Sequence, residues 1–459
     1  MADEKKRRER FTLLTVLSVN LMTAVSGMAF AWSSPSVPKL QGHSGREFNP
    51  LARPATIQEI SWITSLHNLG ALCGPLVTGY VASKLGKKRT LLLFSLPQLI
   101  GNVILIFARE VVHFYAARFL LGMGTGCVFS IVPGFVAEVS DPANRGRASI
   151  ILSLNIIASQ LFLYVVGPYV TIGSLAMVSL VPSVLFLLLF GWFVPETPGY
   201  YVQRNKLQEA EQALLKSGRQ LEELKGVIES VQESKLEVSW GEALKSLEVK
   251  RSLVISLGLM FFQQMNGHGC IGSYMQTIFD STKTSWAGYK MVMIVGAVQL
   301  FVTLVITNIA DKVARKKLLG LSYLGQLAAM IILGGYFYLQ ASNFDLANFF
   351  WLPVASVLVL LGSFKIGCGP ISWTVASEVF PPSVKYYMNS LVAFQMTICG
   401  FLANLMFPLA VERFGMSWTV WGFSGVNGLA ILFVVFVVPE TKGKSLEEIQ
   451  VMLREGRHR

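Results

Sequence analysis

Polar and apolar positions in this chain fall into long blocks, without the alternation of half-buried strands. Apolar runs cover 11–33, 57–82, 90–109, 112–138, 148–168 and 173–194. After a polar stretch they resume over 252–279, 288–310, 317–340, 349–378, 387–411 and 416–438. A helix needs about 20 apolar residues to cross a bilayer, and lipid offers the backbone no water, so runs of this kind are read as helices. The pattern predicts an all-α membrane protein with twelve transmembrane helices in two six-helix halves, 11–194 and 252–438. Residues 1–10 form a charged N-terminus, 195–251 a polar linker and 439–459 a polar tail. The first apolar run is too long for a cleaved signal peptide and is read as the first span.

Composition sharpens this picture. The chain has 459 residues, 53% hydrophobic and 14% charged, against about 25% charged in an ordinary soluble domain. Its mean hydropathy is +0.52. A water-facing shell cannot hide that much apolar surface, which excludes a soluble enzyme, a disordered chain and a fibre. The blocks are rich in Gly, Ser and Thr, which let helices approach closely in lipid. Gly122, Gly124 and Gly126 are read in that way, as packing residues. Cys73, Cys127, Cys270, Cys368 and Cys399 lie inside apolar blocks at unpaired spacings, so neither a disulfide framework nor a metal site follows.

The net charge of +12 would suggest nucleic acid only if the cations shared one folded face. They gather between the apolar blocks instead. The termini, the linker and the loops after the even-numbered spans hold 30 of the 39 Lys and Arg, and the opposite loops hold seven. The positive-inside rule then places both termini in the cytoplasm. Cell membrane is the default location. Within the linker, Leu207, Ala210, Leu214 and Leu215 recur at helical spacing among charges, predicting short amphipathic helices. They serve either as a clamp across the inner mouth or as a plain linker.

The two halves repeat each other. Glu138 precedes Arg145 by seven residues, and Glu378 precedes Lys385 by seven. Gly86-Lys87-Lys88-Arg89 follows the second span, and Ala314-Arg315-Lys316-Lys317 follows the eighth. Pro195-Glu196-Thr197 closes the sixth span, and Pro439-Glu440-Thr441 closes the twelfth. These matches keep their order at offsets of 228 to 244 residues. The charges sit at cytoplasmic span ends, where Glu138, Arg145, Glu378, Lys385, Asp311, Arg315 and Lys87 can form a breakable gate. Exposed pairs of this kind are worth about 0–1 kcal/mol each, a scale suited to switching between states of similar energy. The positive-inside rule alone accounts for the cations but not for Glu138 and Glu378.

With these motifs the whole chain resembles a sugar porter of the major facilitator superfamily, most closely the insect facilitated trehalose transporters. The fourth-span signature is matched by Arg118-Phe119, Gly122, Pro133, Glu138, Arg145 and Gly146, and the tenth-span signature by Gly369-Pro370-Ile371, Trp373 and Glu378. The resemblance implies that Gln263 and Gln264 bond sugar hydroxyls, that Trp373 lines the cavity, and that Gln299 and Asn404 contribute further polar groups. There are departures from the family pattern. Asn266-Gly267-His268-Gly269 replaces the usual run after the glutamines, leaving Gly269 where an asparagine is expected and Ser273 where a tyrosine is. Ser153 stands in place of a glutamine, Phe401 in place of a tryptophan, and Ser83 in place of an acid. Asn266, Asn155 and His268 are candidate replacements for the missing groups.

Lys365 is an ionisable residue within an apolar span, where the family often carries glutamate or a small residue. Such a residue is by default a functional hypothesis. It either faces the cavity, binding a hydroxyl or an anion, or snorkels to the cytoplasmic edge.

The expected function is alternating-access uniport of a hexose or trehalose-like disaccharide, with no cofactor and no nucleic-acid partner. Gly443-Lys444-Ser445 lacks the earlier glycine of a phosphate loop, so ATP coupling has no support. Proton symporters of sugars carry a first-span aspartate, whereas residues 27–35 read GMAFAWSSP without a carboxylate. A proton-coupled symporter through His67 or His268 and a non-transporting sugar receptor are the alternatives. No constellation of nucleophile and base suggests an enzyme.

Overall fold

The computed structural model describes residues 2–43, 48–139, 145–216, 223–233, 246–282, 286–306, 313–381 and 384–455. Those residues fold into helices and connecting turns. Among them, nine helical segments are long and apolar enough to cross a membrane. The other predicted spans are present in interrupted form, for reasons that lie in their residues.

The first span is α1 (Ala2–Ala31), followed by the short α2 (Ser33–Leu40) beyond it. The second is broken into α3 (Ile57–Ala71), one π-helical stretch Gly74–Thr78, and α4 (Gly79–Leu85). The break follows from close packing. A Cβ on Gly74 would lie 2.3 Å from the backbone of Gly126, and one on Gly126 would lie 2.1 Å from the Ala71 carbonyl. Spans two and four therefore cross backbone to backbone, and Gly126 is a packing residue as its setting in the sequence suggests. Spans three to six are α5 (Lys87–Phe107), α6 (Val111–Val139), α7 (Arg145–Val166) and α8 (Ile172–Phe193).

The linker contains α9 (Pro198–Gln203), α10 (Leu207–Lys216) and α11 (Glu223–Glu233). Ala210 and Leu214 are buried as their spacing predicts, whereas Leu207 and Leu215 are exposed. Span seven is α12 (Leu247–Met265), α13 (His268–Ser273) and α14 (Met275–Asp280), broken where Gly267 adopts a φ of 83°. Only glycine enters that region without strain. Spans eight and nine are α15 (Gly288–Ile306) and α16 (Arg315–Ala341). Span ten is α17 (Leu352–Ile366) and α18 (Cys368–Val379), divided at Gly367. Spans eleven and twelve run through α19 (Lys385–Phe436), reversing at Gly415 with a φ of 81°. The tail forms α20 (Leu446–Glu455).

The chain divides into two compact units. The first comprises Met1–Phe30, Leu69–Ser159 and Ile172–Glu237. Its core runs through Val19, Met22, Leu91, Val128, Phe135, Phe186 and Phe190. Arg118, 2% exposed, donates a 2.7 Å hydrogen bond to the Ala29 carbonyl. That bond is how a fourth-span cation is accommodated in an apolar setting. The second unit comprises Ala31–Asn68, Gln160–Thr171 and Val238–Arg459. Its core includes Leu259, Leu319, Tyr323, Val375, Val434, Ile449 and Leu453. The tail helix α20 thus belongs to the packed interior, and its Arg454 pairs with Glu248.

Candidate functional site

Three groups of polar residues stand out against the apolar spans. The first is a pair of span-end clusters, one in each unit. In the first unit, Glu196 accepts hydrogen bonds from the backbone N–H groups of Lys88 at 2.9 Å, Arg89 at 3.4 Å and Thr197 at 3.0 Å. Two of these are the free donors at the start of α5, which a carboxylate satisfies while complementing the helix dipole. The chain turns into α5 at Gly86, whose φ is 90° and where a Cβ would lie 2.3 Å from the Glu196 carboxylate. Lys88 Nζ donates to the Gly191 carbonyl at 2.8 Å, and Lys87 pairs with Glu138 at 2.5 Å.

The second unit repeats the design. Glu440 accepts from the N–H groups of Arg315 and Lys316, both at 3.0 Å, at the start of α16. Lys316 Nζ donates to the Val435 carbonyl at 2.8 Å. Arg315 faces Glu378 at 3.7 Å, and Thr441 Oγ1 donates to Glu378 at 2.6 Å. The structure thereby brings Lys87 to Glu138 and Arg315 to Glu378. Lys385 makes no ion pair among the described residues. Asp311 and the side chain of Arg145 lie outside the described residues. The repeated Pro-Glu-Thr triplets placed Glu196 and Glu440 at the span ends, but their capping of helices and the Thr441 bond to Glu378 are visible only in the fold.

The second group lies at the helix breaks of the second unit. Gln263 Nε2 donates to the carbonyls of Cys368 at 3.0 Å and Gly369 at 2.9 Å, while its Oε1 is buried without a described hydrogen-bond partner. The glutamine therefore ties span seven to the first turn of α18. Asn266 supports the same junction: its Oδ1 accepts from the His268 N–H at 2.9 Å, and its backbone carbonyl accepts from Asn427 Nδ2 at 3.2 Å. Gln264 and Gln299 make no side-chain hydrogen bond among the described residues, and Trp373 is 40% exposed. Asn404 Nδ2 donates to the Gly400 carbonyl at 3.0 Å, leaving Oδ1 unmatched. A Cβ on Gly269 would lie 3.8 Å from that asparagine's Nδ2, so the missing seventh-span side chain leaves space beside Asn404. Phe401 stacks at a tilt on Trp62, 6.1 Å between centroids. In the first unit, Ser153 is exposed, while Asn155 donates to the Asn20 carbonyl at 2.7 Å and to Thr23 Oγ1 at 2.8 Å.

The third group is a seam inside the second unit. The far ends of spans one and two are bonded there to spans seven and eleven. The Gln276 N–H donates to Ser34 Oγ at 3.2 Å, Thr64 and Tyr274 share a hydroxyl–hydroxyl bond, and Asn68 Nδ2 donates to the Gly400 carbonyl at 3.0 Å. Lys39, just beyond the first span, is 1% exposed and donates to the carbonyls of Gly167, at 2.5 Å, and Val170. Burial lowers its pKa from 10.5 to about 8. Nothing in the sequence marked these contacts, since each joins residues distant along the chain.

Twelve spans with recurring span-end clusters define a membrane carrier of the major facilitator fold, in agreement with the all-α reading. The family model described as "Sugar (and other) transporter" matches residues 19–453, and the chain belongs to that family. It is a transporter, not an enzyme. The facilitated trehalose transporter Tret1 of Bombyx mori is 31% identical over 97% of this chain and 88% of its own length. Tret1 of Aedes aegypti is 30% identical over 95% of this chain, which spans 54% of that longer protein. Among solved structures, the partially occluded inward-open xylose transporter XylE of E. coli superposes with a TM-score of 0.78. It is 21% identical and matches over 95% of this chain and 100% of its own. That likeness supports the fold.

Proposed function

We propose that this protein is an alternating-access uniporter for a hexose or trehalose-like disaccharide in the cell membrane, with both termini cytoplasmic. The observation that carries the reading is the pair of broken spans in the second unit. Non-helical backbone at membrane depth is tolerated where it is buried in protein or lines a cavity, and carriers place such breaks at their binding sites. Here the breaks at Gly267 and Gly367 adjoin unpaired amides and an exposed indole. Gln264, Gln299 and Asn404 supply donors and acceptors for hydroxyls, and Trp373 offers a face for the apolar side of a sugar ring. Gln263 holds the break, its Oε1 buried beside it. Phe401 and Asn266 complete the assignment within the second unit, Asn266 by shaping the turn.

In this reading the span-end clusters form the cytoplasmic gate and the seam is the closed outer mouth. Opening the outer mouth breaks the Ser34, Thr64 and Asn68 contacts. No carboxylate lies in the first span after Glu9, which favours movement down a gradient over proton symport. The trehalose substrate of the Tret1 relatives supports a disaccharide-sized ligand. The test is saturable uptake by the reconstituted Gln264→Ala variant, with substrate affinity expected to fall by about 1–3 kcal/mol. Unchanged affinity would remove Gln264 from the site.

A further inference from the structure

Lys365 is the charge that neutral-sugar transport does not use. It lies on the last turn of α17, two residues before the break at Gly367. Thirteen residues separate it from Leu352 at the start of α17 and thirteen from Glu378 near the end of α18. At 1.5 Å per residue each distance is about 20 Å, further than a lysine side chain reaches. The ammonium therefore starts far from both ends of the broken span.

Among the described residues its surroundings supply no counter-charge. The neighbouring Phe364 stacks flat on the His268 imidazole, 3.6 Å between centroids and 6° between planes. Lys365 follows Phe364 on the same turn of α17, one residue from that stacked pair. Lys365 is partly exposed and makes no ion pair or side-chain hydrogen bond among the described residues. The described carboxylates at either end of these spans are engaged elsewhere: Glu378 by Arg315 and Thr441, Asp280 by the Gly288 N–H. An unpaired charge in an apolar setting is costly until a counter-charge arrives.

We propose that Lys365, with His268 beside it, is an anion-recognising subsite, and that the preferred substrate is a sugar bearing one carboxylate, such as a uronic acid. This proposal rests on the sugar-transport reading above and names its substrate class. Charge balance selects the carboxylate. One ammonium neutralises one carboxylate, whereas a phosphate monoester brings about −1.5 to −2 at neutral pH and leaves excess negative charge in the span. The hydroxyls of the same sugar are left to Gln264, Gln299 and Asn404.

The experiment is competition against labelled glucose uptake in proteoliposomes, using glucose, glucuronate and its neutral isostere glucuronamide. Glucuronate is expected to compete at a concentration at least tenfold lower than glucose or glucuronamide. Lys365→Gln should bring glucuronate level with the two neutral sugars while glucose competition moves less than twofold, and Lys365→Arg should keep the preference. Glucuronate no better than glucose in the wild type overturns the subsite even if Lys365→Gln does not fold, and leaves sugar transport standing. A preference that survives in folded Lys365→Gln also overturns it. Saturable uptake of labelled glucuronate with none of glucose supports the subsite, whereas saturable uptake of neither sugar overturns the transport reading and this one together.

Discussion

The two span-end clusters are the same device built twice with one part altered. In both, a carboxylate from a Pro-Glu-Thr triplet caps the start of a membrane helix, and a lysine reaches back to a carbonyl one turn before the triplet. The ion pair beside it differs. Lys87 meets Glu138 at 2.5 Å, while Arg315 stands 3.7 Å from Glu378, which takes a 2.6 Å bond from Thr441 instead. In the proposed gate, the cap is the fixed part of the device and the ion pair the adjustable part. A carrier needs this division, because its helices must stay folded while its mouth opens and closes. Away from the clusters the second unit carries two further polar anchors: Lys39 donates to the carbonyls of Gly167 and Val170, and Asp280 accepts from the Gly288 N–H.

The comparison can be broken at the caps first. Glu196 is 7% exposed, and replacing it with Ala leaves the α5 donors unmatched, at a cost of about 1–3 kcal/mol. Glu440→Ala should cost less, because that carboxylate is only partly buried and water can replace it. Thermal unfolding of the purified protein checks the order, and an equal loss would contradict the burial argument.

The seam comes next, through pH. Lys39 titrates near 8 in the folded chain against 10.5 when solvated, so its protonated form opposes burial. Below pH 8 the penalty is present in full. It is relieved as pH rises from 8 towards 10.5, so stability should climb in that window. Lys39→Met should flatten the climb in a pH series of melting temperatures, and a parallel series for both proteins would sink the assignment.

The ion pairs give the smallest effects. Thr441→Val removes the hydroxyl that holds Glu378, about 0.5–1.5 kcal/mol. Lys87→Gln breaks a partly exposed pair worth about 0–1 kcal/mol, read best as a change in turnover that shrinks as salt is raised. If Lys87→Gln proves more damaging than Thr441→Val, the ion pair is the fixed part and the comparison is reversed.

The spans, the repeat and the cluster residues were legible because each is a local pattern: a run of apolar residues, or a triplet recurring at one offset. The breaks were less so. Asn266-Gly267 interrupts an apolar block as a turn signal would, yet only the fold shows Gln263 spanning from that break to the one at Gly367. Sequence reading placed Gln263 and Gln264 side by side as equals, whereas the structure gives one a backbone-holding bond and leaves the other unpaired. The π-helical stretch at Gly74 and the seam at Lys39 depend on which backbone lies opposite, which one chain's order of residues does not encode locally.

Sugar uniport is measured by radiolabelled glucose and trehalose uptake into proteoliposomes, with and without an inward proton gradient. Saturable uptake that is indifferent to the gradient is the predicted result. Acceleration by protons, or no saturable uptake of either sugar, would contradict it.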